Sequence, residues 1–183
     1  MDEGKNVIER KGRLPDGAHE IWLAGGCFWG IEKYMAGIPG VLATSVGYAN
    51  GSAAYPVYQQ VCTGTTGCAE TVHVVYNPKE LPLARLLTLY MQAIDPVSLN
   101  RQGADRGTQY RTGIYYLDEA DLSVIRDVIA AVQSKYREPV AVEVEPLKSY
   151  YLAEEYHQEY LKKNPAGYCH ISDSSCARAW NVQ

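Results

Sequence analysis

The sequence predicts an α+β protein: a ferredoxin-like two-layer sandwich with a β-α-β-β-α-β core, extended by additional helices and a strand and ending in a long coil tail. Three observations carry that prediction. Segments of strand and helix character follow one another in that order up to residue 117. The stretch 81–94 places its apolar residues on one helical face, and VAVEVE at 140–145 alternates strictly, as a half-buried strand does.

Taken in order, residues 1–19 are polar and aperiodic and are expected to form a loosely ordered lead-in. EIWLA at 20–24 is a short apolar run ending in Gly25-Gly26, and the following FWGIEKYM spaces apolar residues at 28, 31 and 35, giving strand, tight turn, helix. VLATSVGYA at 41–49 and ETVHVVY at 70–76 are β-rich, the second closed by Asn77-Pro78. Apolar positions 83, 86, 87, 90, 91 and 94 define a helix that Asp95-Pro96 ends. RTGIYYL at 111–117 reads as a strand, and positions 122, 125, 128, 129, 132 and 136 form one helical stripe. SYYLAEEYHQEYLKKN at 149–164 reads as a helix that stops before Pro165, leaving the tail 164–183. The connections 49–69 and 95–110 are longer than a compact domain needs to join its elements, and are expected to be binding loops.

A chain of 183 residues sustains one core, so a single domain spanning 1–183 is expected. Seventeen Lys and Arg against 21 Asp and Glu give a net charge of −4 without blocks of like charge, which argues against nucleic-acid and membrane-surface partners. The charged N-terminus and the lack of any long apolar run point to a cytoplasmic protein. Five cysteines, Cys27, Cys62, Cys68, Cys169 and Cys176, stand in what is then a reducing compartment, where catalytic disulfides are the usual exception to reduced thiols.

Cys27 follows a strand and two glycines and opens a helix, where unpaired N–H groups and the macrodipole favour the thiolate. The expectation is a thiol that ionises easily. On position alone, a packing cysteine in a tight turn fits equally well.

GGCFWG at 25–30 resembles the active-site signature of the type A peptide methionine sulfoxide reductases. PVYQQVCTGTTGCAE is similar to the family segment carrying a tyrosine and a glutamate, here Tyr58 and Glu70. NRQGADRGTQYR is similar to the family loop with Asp105 and Tyr110, and AEEYHQEYLKKNPAGYCHI to its C-terminal helix and tail, with Cys169 at the recycling position. The resemblance covers nearly the whole chain. It implies reduction of methionine S-sulfoxide, free or in peptides and proteins, with no cofactor or metal, by a monomer that draws electrons from thioredoxin or a similar dithiol donor. It implies that Tyr58 and Tyr110 bond the sulfoxide oxygen, that Phe28 and Trp29 receive the substrate methyl group, and that Cys169 resolves Cys27.

The chemistry asks for the same groups independently. A thiolate attacking sulfur while the oxygen takes a proton needs a nucleophile and an acid, roles that Cys27 and Glu70 supply if burial raises the Glu70 carboxyl above its usual value of about 4.3. Any one of the 15 Tyr could equally be packing, and Asp105 in a Gly-rich loop could cap a turn, so it is given an orienting role. The sulfenic acid left on Cys27 needs a second thiol. Cys176 then moves oxidation outward from Cys169, or is a spare thiol in a frayed tail.

Two departures from the family pattern stand out. Cys68 occupies a position where members usually carry His, and strand alternation puts it on the face of Glu70. The spacing of the two tail cysteines also differs. Cys62 has no supporting context and is expected to be buried. A cysteine hydrolase using His157, and a zinc module using Cys169, His170 and Cys176, are the alternatives; neither has its usual local spacing.

Overall fold

A computed structural model describes residues 6–181. Its elements are β1 (His19–Gly25), α1 (Phe28–Ala36), β2 (Val41–Ala49), α2 (Tyr58–Cys62), β3 (Ala69–Tyr76), α3 (Leu83–Ala93), β4 (Arg101–Gln102), β5 (Asp105–Arg106), β6 (Thr112–Tyr116), α4 (Asp121–Gln133), β7 (Glu143–Pro146), β8 (Tyr150–Leu152), α5 (Tyr160–Lys163) and α6 (Asp173–Trp180). The fold is mixed α+β.

Six strands form one mixed sheet in the order β7-β6-β1-β3-β2-β8, and β4 and β5 pair separately. All neighbours in the large sheet run antiparallel except β6 and β7. The two-residue periodicity of the central strands sorts their side chains cleanly. Ile21, Leu23, Val46, Tyr48, Val72, Val74, Ile114 and Tyr116 face the main core beneath α1, α3 and α4. Trp22, Ala24, Ala49, Ala69 and Tyr115 face a smaller core on the opposite side. Glu70 shares the parity of Val72 and Val74, and a carboxyl is thereby aimed into the helix-covered side, where it is 2% exposed.

Residues 1–5 of the expected lead-in lie outside the described residues; beyond them it is tied down. Ile8 bridges Tyr150, Glu9 accepts from the Leu152 amide at 2.7 Å, and Arg10 forms a two-pronged pair with Glu20. These contacts lay residues 7–10 against the smaller core and edge strand β8.

Three expectations are corrected. The helix read over 149–164 is instead β8, a 3-10 turn at Glu155–His157 and the four-residue α5. Its helical spacing loses to non-local bonding: β8 pairs with β2, the Gln158 amide bonds both backbone groups of Val46, and Glu159 turns left-handed at φ 49°. The strand read at 140–145 is Glu143–Pro146, starting three residues later and ending one later, because its pairing with β6 begins at Gly113 and Glu143. The tail is not coil throughout, since Ser172 caps α6 by accepting from the Ser175 amide.

Candidate active site

β1, in the middle of the sheet, ends at Gly25, and the turn through Gly26 delivers Cys27 to the first residue before α1. Gly26 has φ 86°, and a Cβ there would lie 2.6 Å from the Gln102 side chain, so the turn needs glycine twice over. Gln102 in turn clasps Asp95 through both backbone groups, fixing the loop that covers the turn.

Glu70 enters from the adjacent strand β3, where its Oε2 accepts the Phe28 amide proton at 3.1 Å. The Glu70 carboxyl is therefore hydrogen-bonded to the residue directly after Cys27. Burial drives the Glu70 carboxyl up to about 8; the Phe28 amide opposes this and the Asp105 charge adds to it. At neutral pH the group is largely protonated, as a proton donor requires.

The expectation of an easily ionised Cys27 is corrected. Burial, and secondarily the repulsion a Cys27 thiolate would meet from Glu70 once that carboxyl ionises, push its thiol well above the ordinary range, and the amides of Trp29 and Gly30 at the helix start pull only partly the other way. Desolvation in a site 8% exposed outweighs the helix terminus. Resting Cys27 is a thiol.

Around this pair stand the other sequence-selected groups. Tyr58 begins α2 and Tyr110 ends the 3-10 turn Thr108–Tyr110, both half-buried. Burial, followed by Cys62 and then Glu70 for Tyr58, and by Glu70 and Asp105 for Tyr110, raises both phenols, which stay protonated donors. Asp105 accepts from Tyr168 at 3.1 Å. Phe28 is 1% exposed, packed against Tyr48 and His157, while half-buried Trp29 stacks on Tyr160 with ring centres 3.8 Å apart.

A family model described as peptide methionine sulfoxide reductase matches residues 19–182. The chain belongs to that family. The MsrA of Lachnoclostridium phytofermentans is 55% identical over 162 residues, covering 88% of this chain and 98% of the relative. The MsrA of Clostridium botulinum strain Okra is 58% identical over 152 residues, covering 83% and 97%. Among solved structures, reduced Mxr1 from Saccharomyces cerevisiae superposes with a TM-score of 0.83 at 37% identity, covering 87% of this chain and 94% of that one. Methionine sulfoxide reductase A of Corynebacterium diphtheriae gives 0.77 at 33% identity, covering 91% and 92%. Mxr1 has also been solved in complex with Trx2, where the match is 0.60 at 26% identity, covering 84% and 92%. The chain is accordingly an oxidoreductase that reduces methionine sulfoxide.

All five thiols of this reductase are free. Cys169 is partly exposed, its sulfur over Gly30 in the first turn of α1, and donates to the Ile171 carbonyl at 3.2 Å. Cys176 is 1% exposed on the inner face of α6, whose Trp180 donates to the Tyr34 carbonyl at 2.9 Å. Cys68 is 2% exposed, on the core side like Glu70, with its sulfur against Gly51. Cys62 is exposed beside Tyr58, which corrects the expectation of burial: a five-residue helix over the protein's edge offers it no cover.

Sequence reading missed three supporting groups. The Glu154 carboxylate receives Tyr48 Oη at 3.0 Å and the Tyr58 amide at 3.2 Å, fixing the start of α2. His157 Nδ1 accepts the Trp29 indole proton at 3.0 Å, so it orients an aromatic wall rather than facing Cys27 as a hydrolase base would. Arg111 ties the two long loops together by donating to the carbonyls of Gly67 and Thr108, each at 2.9 Å. All three depend on contacts distant in sequence, and no local motif announces them. Among the described residues, no three His, Cys, Asp or Glu side chains stand together as a zinc module would need.

Proposed function

We propose that this reductase acts on methionine S-sulfoxide with Cys27 as nucleophile and Glu70 as acid. The observation that carries the reading is the buried, protonated Glu70 carboxyl hydrogen-bonded to the residue after Cys27. Cys27 sulfur attacks the sulfoxide sulfur as Glu70 delivers its proton to the oxygen, the Cys27 thiol proton replaces the one Glu70 has given, and methionine leaves with Cys27 carrying that oxygen as a sulfenic acid. Tyr58 and Tyr110 steady the oxygen, Asp105 orients the loop through Tyr168, and Phe28 and Trp29 take the methyl group, a contact favoured between sulfur-bearing groups and aromatic rings. Charge development falls on an oxygen surrounded by donors held ready by the fold.

Cys169 then condenses with oxidised Cys27, Cys176 passes the disulfide outward, and thioredoxin reduces it, a role supported by the yeast Mxr1 complex with Trx2. Free methionine sulfoxide and peptide- or protein-bound residues are the substrates, and the enzyme is a cytoplasmic, single-domain monomer that needs no cofactor. The strand order β6-β1-β3-β2, antiparallel throughout, supports the ferredoxin-like description of the core. Turnover of the separated sulfoxide epimers with dithiothreitol tests the reading. The S epimer is reduced and the R epimer is not; equal turnover of both, or none of either, overturns it.

A further inference from the structure

The geometry points to His170 as the proton acceptor that frees the Cys169 thiolate to attack oxidised Cys27. This rests on the reading that Cys169 is the resolving thiol.

His170 Nε2 lies 3.0 Å from the Gly25 carbonyl, which can only accept, so Nε2 carries the ring proton and Nδ1 presents a lone pair. Nδ1 is buried and has no hydrogen-bond partner. An unpaired acceptor of this kind calls for an explanation, because buried polar atoms nearly always have a partner. Its neighbour supplies one. A Cβ placed on Gly30 would lie 2.8 Å from His170 Nδ1 and 3.4 Å from Cys169 Sγ, so both atoms converge on the same point over the first turn of α1. A side chain at Gly30 would collide with the imidazole, so glycine there is what lets His170 and Cys169 both approach the first turn. The Cys169 thiol, now directed to the Ile171 carbonyl, needs to turn toward Nδ1 to hand over its proton.

The step balances within the protein. Nδ1 takes the Cys169 proton and the thiolate attacks Cys27 sulfur; the S–S bond forms as the S–O bond breaks, and the departing oxygen takes the proton back from the imidazolium and leaves as water. Cys27 sulfur is reduced from the sulfenic level and Cys169 is oxidised to the disulfide level. Burial keeps the resting imidazole neutral, and the facing Asp105 carboxylate favours the transient cation. Among the neighbouring titratable groups, Tyr168 on the same segment faces Asp105, Cys27 and Cys169, and Lys33 farther along α1 faces Asp173, Cys169 and Cys176.

The test follows disulfide formation separately from methionine release, after a single equivalent of sulfoxide, from pH 5 to 10. In the wild type the resolution rate rises through the imidazole titration and is flat by neutral pH. A rate that instead climbs to the ordinary thiol range near about 8.5 overturns the proposal, and this measurement needs no variant. His170→Gln retains an N–H donor for Gly25 but no basic nitrogen. At pH 7 its resolution rate, divided by its own methionine-release rate, falls at least about tenfold and recovers as alkali ionises the thiol. An unchanged ratio overturns the role of His170. Cys169→Ser separates the two levels: if it still forms a Cys27 disulfide at the wild-type rate, the resolver assignment itself falls.

Discussion

The turn carrying Cys27 and the segment carrying Cys169 and Cys176 both bear free thiols, yet they are held by different means. Cys27 leaves β1, which pairs on both edges, and Glu70 sits in β3, also paired on both edges. The C-terminal segment makes no strand pairing. It is held by the burial of Ile171, Cys176 and Ala179 against the main core, the His170 contact to Gly25, the Trp180 contact to Tyr34, an exposed Lys33–Asp173 pair and the Ser172 cap. Such exposed pairs contribute about 0–1 kcal/mol, caps about 1 kcal/mol, and an eight-residue helix is marginal alone. On the proposed roles, the contrast places the reductive step at the doubly paired centre of the sheet and recycling on a segment held by side-chain contacts and one short helix, the kind of element expected to open at lower free energy.

The strongest way to break this comparison is Cys27→Ser, which should reduce sulfoxide turnover below a tenth of wild type with any reductant, a barrier increase of at least about 1.4 kcal/mol. Glu70→Gln should slow single-turnover methionine release by roughly 10²-fold. It should also remove a pH effect. Because only the protonated carboxyl donates, wild-type release falls as pH rises past about 8, and the variant lacks that fall. The same raised value means the folded state holds a proton that the unfolded chain releases above about 4.5. Its stabilising influence is complete below that pH and is lost as pH rises toward 8. Between pH 5 and 9 the wild-type Tm should therefore drop relative to that of Glu70→Gln; parallel curves would contradict the buried acid.

A smaller effect sharpens the other half of the comparison. Trp180→Ala loosens α6, and alkylation of Cys176 in the reduced protein should quicken about tenfold, the factor expected for about 1.4 kcal/mol of local opening; no change would mean Trp180 does not secure the helix. Least of all, Cys68→Ser should alter turnover less than twofold, because its thiol fills space against Gly51 and burial keeps it protonated. Peptide mapping that finds a Cys27–Cys68 disulfide after one turnover would make it a working thiol instead.

Legibility in the sequence followed the same division. The β1-turn-α1 unit could be read because its signals are local: an apolar run, two glycines and helical spacing at 28, 31 and 35. Residues 149–164 misled because helical periodicity was present and was overridden by partners far away, Val46 for Gln158 and Glu32 for the Glu159 amide. The ionisation of Cys27 was misjudged for a related reason: a helix terminus is visible in sequence, while the depth of burial that outweighs it is not. Glu154, His157 and Arg111 act by bridging segments, so their places emerged only with the chain folded.

Helix α1 has one more consequence. Cys27 precedes its first residue, and Trp180, one turn beyond Cys176 on α6, docks at the carbonyl of Tyr34 near its last. Nine residues at 1.5 Å each make a rod about 13 Å long. Two cysteines join only when their Cα atoms come within about 7 Å, and it is Cys169 whose sulfur lies over the first turn of α1, while α6 is anchored through Trp180 near the last. If the relay runs as proposed, the length of this one helix sets which sulfur the nucleophile meets first, and shortening or lengthening the rod by a turn is expected to change that order without touching any reacting atom.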